Sequence, residues 1–364
     1  MRACGAGAGS QALRMLNMGE LRRRWAAAGV AAVMAAALTG AGAAAARAMA
    51  PGPVPGLVPA TVGREGPGGD VSGKAGATQP ARAILERAVV IGASVSDGFM
   101  TSVRVKLPAE GGEAEKQVER RVAAKMANVL RAAAAPADEQ AEVKGPESLA
   151  TGAFFSAADR IAERQVNEAL AAKPEVVFAV DYLFWHAYGV MPEEERAAMF
   201  DRGLQRVERM LAAGATVVIG DVPNMSHAAP GMLSPPQVPS AEMHRQLNAR
   251  LAEWAKGRRG VHVLGLAELV RAARAGEAVT MGGRLYGPAE AAKLLQRDGL
   301  HATGAGLTAL AQEALATLEA AGVVAAGSWE RDPEKVLAAL RPMPRAARPA
   351  GGPGAPAAPK SEPR

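Results

Sequence analysis

The chain has 364 residues, enough for one large domain or two ordinary ones. Its formal net charge of +6 comes from the two ends: residues 1–50 carry six arginines against one glutamate, and residues 341–364 carry five basic side chains against one glutamate. The residues between them are net acidic, which argues against a nucleic-acid-binding domain, because such a domain needs a basic folded face. Cys4 is the only cysteine, which excludes an intramolecular disulfide and a thiolate metal cluster.

The N-terminus has the features of an export signal. Arg22–Arg24 precede an apolar, alanine-rich run from Trp25 to Ala46, and Ala48 and Ala50 give a small-x-small pattern. We therefore predict a signal peptide over residues 1–50 and a secreted or periplasmic protein. The alternative is an uncleaved membrane anchor, which is less favoured because alanine and glycine insert poorly.

Composition divides the rest of the chain into three parts. Residues 51–80 are rich in glycine and proline and predict a disordered linker, since they cannot bury enough apolar surface to offset ordering. Residues 81–325 predict one folded domain. Residues 326–364 predict a C-terminal extension that is a disordered tail rich in proline and alanine.

The first predicted strand ends beside a serine. The apolar run from Ala88 to Ile91 reads as a buried parallel strand, and Gly92 and Ser94 follow it in a turn. In open α/β sheets ligands bind beyond the carboxyl ends of strands, so Ser94 sits where a nucleophile would sit. The alternative is that Ser94 only caps a helix.

The following elements complete an α/β pattern. We expect residues 101–112 to be irregular, residues 113–135 to form a long amphipathic helix with an apolar residue every fourth position, and a short strand near residues 141–143. Further strands are predicted at 176–180, 216–219 and 261–264, and helices at 156–171, 192–213, 241–255, 266–275, 288–296 and 304–321, with a loop at 222–240 that could cover the sheet edge. This alternation specifies a three-layer α/β/α sandwich with a parallel sheet.

Aromatic side chains follow the strand at 176–180. Tyr182, Trp185 and His186 lie in this cluster and are candidates for a substrate-pocket wall, although a packed loop over the sheet edge is an equal alternative.

Near the C-terminal end, Asp298 and His301 stand three residues apart in a turn. A carboxylate at this spacing can accept a hydrogen bond from the nearer imidazole nitrogen and fix its tautomer. A capping aspartate and a surface histidine are the plainer explanation for the pair alone. The other histidines lack the short helical spacing of metal ligands, so we predict neither a metal site nor a cofactor.

Taken together, these segments resemble the SGNH (GDSL-like) hydrolase family over Ala88–Ala321. The resemblance rests on Gly92-Ala93-Ser94 with Asp97-Gly98, on Thr151-Gly152 with Ser156-Ala157-Ala158-Asp159, on Asp181, and on Asp298-Gly299-Leu300-His301 followed by Thr303 and Gly306. The last segment is the most specific.

The resemblance implies a flavodoxin-like sandwich and an esterase, lipase or deacetylase that acts through an acyl-serine on a small-molecule, glycan or lipid ester. Ser94 would be the nucleophile, His301 the general base and Asp298 its orienting partner. The oxyanion hole would be formed by the backbone N–H groups of Ser94 and Gly152 and by the side chain at position 181.

This sequence departs from the family pattern at two positions. Ala93 replaces the usual aspartate beside the serine, and Asp181 replaces an asparagine. An amide can donate a hydrogen bond to an oxyanion, whereas a carboxylate only accepts. If Asp181 lined the oxyanion hole, Asp181→Asn would raise the neutral rate. The alternative function is a non-catalytic or weakly active protein that binds a glycan or acyl ligand on the same fold.

Overall fold

The computed structural model describes residues 78–108, 117–135, 139, 143–228 and 231–342. The predicted signal peptide, nearly all of the predicted linker and the last 22 residues of the predicted tail lie outside this described part of the chain. No helix within it is long and apolar enough to cross a membrane.

The described residues form nine strands and ten α-helices. The strands are β1 Ala88–Val90, β2 Ser102–Pro108, β3 Gln117–Ala123, β4 Glu147–Ser148, β5 Val176–Ala179, β6 Thr216–Gly220, β7 Val261–Leu264, β8 Val279–Met281 and β9 Arg284–Tyr286. The helices are α1 Ala81–Leu85, α2 Met126–Ala134, α3 Ala158–Ala172, α4 Phe184–Ala187, α5 Glu193–Ala212, α6 Ala241–Ala255, α7 Leu266–Ala275, α8 Pro288–Ala291, α9 Gly304–Ala320 and α10 Pro333–Ala339.

Five strands make the central sheet, in the order β4-β1-β5-β6-β7, and every pairing is parallel. Numbered along the chain within this sheet, the order is 2-1-3-4-5, which is the order of doubly wound, flavodoxin-like sheets. The winding direction changes between β1 and β5, where Val90 lies opposite Phe178. The loops that follow these two strands therefore diverge and leave a crevice at the carboxyl edge.

Helices cover both faces of the sheet because its strands are apolar on both sides. Val90 and Phe178 point into one apolar cluster, which is completed by α2, α7 and α9. Val89 and Val177 point into the other, which is completed by α3, α5 and α6. The predicted α/β class with a parallel central sheet is thus confirmed, and its layers are those of a three-layer sandwich.

The segment before α2 differs from the prediction. Strands β2 and β3 form an antiparallel hairpin in which Val105 lies opposite Arg120, and only the last part of the predicted helix is helical. The spacing of Val118 and Val122 fits a strand as well as a helix, because four is also a multiple of two. In β2 the apolar residues alternate at every second position, the pattern of a strand with one buried face.

Three other boundaries differ. The strand expected near residues 141–143 forms instead at Glu147–Ser148, beside β1, and residues 141 and 142 lie outside the described part. Helix α8 ends at Ala291, well before residue 296. The folded domain continues past residue 325, because Val336 of α10 and Leu340 just after it pack into the apolar cluster that contains Val90 and Phe178. The sequence prediction missed this helix because the segment is rich in proline and alanine and contains few large apolar residues.

Candidate active site

The turn after β1 holds Ser94 at the carboxyl edge of the sheet. Gly92 has a φ of +141°, and a side chain there would collide with Asp181, so only glycine fits. Its N–H donates to the Gln165 side chain at 3.0 Å, and its carbonyl accepts from the same amide at 2.9 Å. The Phe99 N–H closes the turn by donating to the Ser94 carbonyl at 2.8 Å.

The structure brings Ser94, His301 and Asp298 into one hydrogen-bonded row. Ser94 Oγ lies 3.0 Å from His301 Nε2, and His301 Nδ1 lies 2.8 Å from Asp298 Oδ2. The other carboxylate oxygen of Asp298 accepts the N–H groups of Leu300 and His301 at 2.9 and 3.0 Å. With the carboxylate fixed in this way, the imidazole carries its proton on Nδ1 and presents Nε2 to the serine hydroxyl.

The charge of Asp298 supports this tautomer. Burial by itself would raise its pKa, but hydrogen bonds from the His301 ring and from the N–H groups of His301 and Leu300 lower the pKa to about 2. Asp298 is therefore a carboxylate at neutral pH. The His301 side chain is buried, and the ring of Phe99 lies against it with 4.6 Å between ring centroids.

Gln296 connects the turn that holds Ser94 (the serine turn) to the turn that holds Asp298 and His301 (the histidine turn). The two N–H groups on its Nε2 are shared among three acceptors: the carbonyl of Ala302 at 2.8 Å, the hydroxyl of Thr101 at 3.0 Å and the carbonyl of Phe99 at 3.1 Å. The Thr101 hydroxyl also donates to the carbonyl of Ala302 at 3.0 Å. These bonds fix the distance between the two turns, and no motif in the sequence pointed to Gln296 or Thr101.

His227 supports the histidine turn from the loop after β6. Its Nε2 lies 2.8 Å from the carbonyl oxygen of Gly299, which sits between Asp298 and Leu300. Gly299 has a φ of +69°, and a side chain there would press on the imidazole of His227. In the sequence, His227 was one of the histidines considered and rejected as metal ligands, and no motif predicted this supporting contact.

Asp181 accepts hydrogen bonds from the serine turn instead of facing an oxyanion. Oδ1 accepts the Ala93 N–H at 2.9 Å and the Ser96 hydroxyl at 2.6 Å, and Oδ2 accepts the N–H groups of Val95 and Ser96 at 2.7 and 3.2 Å. Burial raises the pKa of Asp181, and the hydrogen bonds from Ser96, Ala93 and Val95 act against this rise. The geometry differs from the donor role that the family pattern implied, because both oxygens are already occupied by donors.

Gly152, the second expected oxyanion donor, is also engaged. Its N–H donates to Asp97 Oδ2 at 3.0 Å, and Asp97 Oδ1 pairs with Lys125 Nζ at 2.6 Å. The third donor, the N–H of Ser94, has no acceptor within the described residues. Of the three groups, only this one is free to bind a developing oxyanion.

An apolar cavity of about 50 Å³ opens beside Ser94. Its walls come from the turns after β1, β5 and β6, from α7 and α9, and from the segment that leads to His301. Phe184 is the member of the aromatic cluster that reaches it. The three predicted pocket residues, Tyr182, Trp185 and His186, do not line it. Tyr182 precedes α4 and the other two lie within it, and all three side chains are buried in the core, where burial lowers the pKa of His186 to about 4.

The described residues contain no group of three or more His, Cys, Asp or Glu side chains placed to hold a metal ion. The remaining carboxylate near the site is Asp221, after β6. Its Oδ1 accepts the N–H of Ala267 at 2.8 Å near the start of α7, and burial raises its pKa to about 6.

Comparisons with known proteins found no match: the chain matches no family model, no curated protein and no solved structure.

Proposed function

We propose that this protein is a serine hydrolase of carboxylic esters, of the SGNH type, and that it acts outside the cytoplasm through an acyl-serine intermediate. The single observation that carries the proposal is the row of Ser94, His301 and Asp298, whose side chains lie at 3.0 and 2.8 Å from one another. These residues are far apart in the chain and converge at the crevice where the sheet changes direction. A capping serine and a surface histidine would have no reason to meet there.

The chemistry follows from this geometry. Ser94 Oγ attacks the ester carbonyl carbon as its proton passes to His301 Nε2, and the negative charge collects on the carbonyl oxygen beside the Ser94 N–H. The bond to the leaving oxygen then breaks, and that oxygen takes the proton from His301. A water molecule repeats the sequence on the acyl-serine: His301 accepts its proton, the carboxylic acid leaves, and the proton returns to Ser94. Asp298 stabilises the imidazolium in both halves.

The SGNH assignment and the location outside the cytoplasm rest on the sequence. The order and spacing of the four motif segments support the first. The arginine-led apolar segment, which ends with Ala48 and Ala50, supports the second. Because a family resemblance does not choose a substrate, the class of ester has to come from the site itself.

A second candidate function is a weakly active or binding protein on the same fold. Two hydrogen-bonding arrangements favour it: the Gly152 N–H donates to Asp97, and the Asp181 carboxyl accepts from the serine turn. The N–H of Ser94 is then the one expected oxyanion donor that is free. Loss of one such donor typically lowers kcat by about 10²–10³.

Labelling with a fluorophosphonate probe separates the two candidates. The purified chain is treated with the probe, and the modified residue is mapped by mass spectrometry, with Ser94→Ala and His301→Ala as controls. We expect labelling at Ser94 that both substitutions remove. Absence of labelling between pH 5 and 9 would favour the binding protein.

A further inference from the structure

Packed apolar side chains form the inner walls of the cavity beside Ser94, which opens to the surface on its outer side. Leu266, Leu269 and Val270 of α7 form one wall, and Leu294 and Leu310 form another. All five side chains are at most 8 % exposed. A group that enters the cavity from Ser94 therefore meets mostly hydrocarbon, together with the carboxyls of Asp181 and Asp221.

The two carboxyls on its walls are held by the backbone. Both oxygens of Asp181 are bound by the serine turn, and Asp221 is held by the backbone at the start of α7. Both carboxyls already accept backbone hydrogen bonds, and Asp221, whose pKa is about 6, is ionised at neutral pH and would repel an anionic acyl chain. The lining thus fits a short, uncharged hydrocarbon group.

The volume limits the length of that group. A cavity of about 150 Å³ lined by aliphatic side chains binds benzene, which has six carbons. In proportion, about 50 Å³ accepts roughly two carbons. A longer chain would have to displace close-packed side chains, which a protein interior resists.

We propose that this cavity is the acyl-binding site and that it restricts the enzyme to acetyl esters, with propionyl as the upper limit. The inference rests on the proposed function, since the acyl carbon is bonded to Ser94 Oγ while its methyl group lies in the cavity. The alcohol part of the substrate lies outside it, toward the exposed Phe99 and Met100, which are 37 % and 77 % exposed.

The test measures kcat/KM for p-nitrophenyl acetate, butyrate, hexanoate and octanoate with the full chain. We expect acetate to be preferred over hexanoate by at least tenfold. Leu269→Ala and the milder Val270→Ala enlarge the cavity, so each should raise the hexanoate-to-acetate ratio by about tenfold. Leu315→Ala is the matched control, because Leu315 is fully buried in α9 but does not line the cavity, and it should leave the ratio unchanged.

Two failures are distinguishable in this design. A wild-type preference for octanoate would overturn the acyl-site assignment and leave the esterase intact. The same conclusion would follow if Leu269→Ala and Val270→Ala left the hexanoate-to-acetate ratio of kcat/KM as unchanged as Leu315→Ala does. Absence of turnover on every ester, together with absence of fluorophosphonate labelling, would overturn the proposed function itself.

Discussion

Ser96 donates its hydroxyl to one oxygen of Asp181 at 2.6 Å and its N–H to the other at 3.2 Å. With the N–H groups of Ala93 and Val95, four donors of the serine turn converge on one buried carboxyl. Asp181 therefore fixes the turn from which Ser94 reaches His301. Its contribution to the proposed reaction is to position the nucleophile.

Asp181→Asn should weaken the fold and the reaction together. An amide offers one acceptor oxygen, and its NH₂ group faces either the N–H of Ala93 or those of Val95 and Ser96, which leaves at least one buried donor unpaired at a cost of about 1–3 kcal/mol. We expect a lower melting temperature and a lower kcat/KM at every pH. Ser96→Ala is the milder control, since it removes one donor and keeps the carboxyl. A higher rate for Asp181→Asn would restore the oxyanion-donor interpretation.

Ser94→Ala and His301→Ala should each remove nearly all turnover, and the double variant should be no worse than either, because the two residues act as one unit. The measurement is kcat on an activated acetyl ester, with circular dichroism as the check on folding. If His301→Ala kept more than about a tenth of the activity, His301 would not be the general base, since that role typically contributes at least 10².

Asp298→Asn should leave the fold intact and lower kcat by about 10⁴. The amide NH₂ faces His301 Nδ1, so the ring moves its proton to Nε2 and can no longer accept the serine proton. Because the folded-state pKa of Asp298 is about 2, against 3.8 for the free group, its ionised form stabilises the fold above pH 4, and this contribution disappears as the pH falls through 2. Urea unfolding at pH 7 should show Asp298→Asn less stable by about 2 kcal/mol, and a smaller difference near pH 2.

Asp97→Ala should raise kcat by about tenfold, because it releases the Gly152 N–H for the developing oxyanion and removes a nearby negative charge. Lys125→Ala is the control: it breaks the ion pair and keeps the bond between Asp97 and Gly152, so kcat should not rise. A lower kcat for Asp97→Ala would mean that Asp97 is required to hold the Gly152 loop in place.

Asp221→Asn should stabilise the protein at alkaline pH. Burial raises the folded-state pKa of Asp221 to about 6, so the unfolded chain loses its proton first and wild-type stability falls as the pH rises from about 4 to 6. Asparagine can still accept the Ala267 N–H and has no charge to bury. We expect a gain on the order of 2 kcal/mol at pH 8 that vanishes at pH 4, measured by urea unfolding. Equal free energies of unfolding for the wild type and Asp221→Asn at pH 8 would contradict the raised pKa of Asp221.

The sequence alone was sufficient to predict the strands and helices whose hydrophobic pattern fits only one type of secondary structure. The apolar runs at 176–180 and 216–219 are too short and too uniformly apolar to be anything but buried strands, and the sequence predicted β7, α6 and α7 with the observed ends. It also placed Ser94, Asp298 and His301 in turns that the parallel sheet brings to one edge. The strands and helices were predicted correctly because their periods are local properties of the chain, whereas the grouping of Ser94, Asp298 and His301 rested on the family resemblance.

Only the tertiary structure decided the rest. The fourfold spacing of Val118 and Val122 suits both a helix and a strand, and pairing with β2 chose the strand. The donors around Asp181 come from residues about 88 positions earlier in the chain, and the Gly152 N–H meets Asp97 across 55 positions. A carboxylate is the same side chain whether it lines an oxyanion hole or holds a turn. Its partners, which the packing of distant segments brings to it, decide between the two roles.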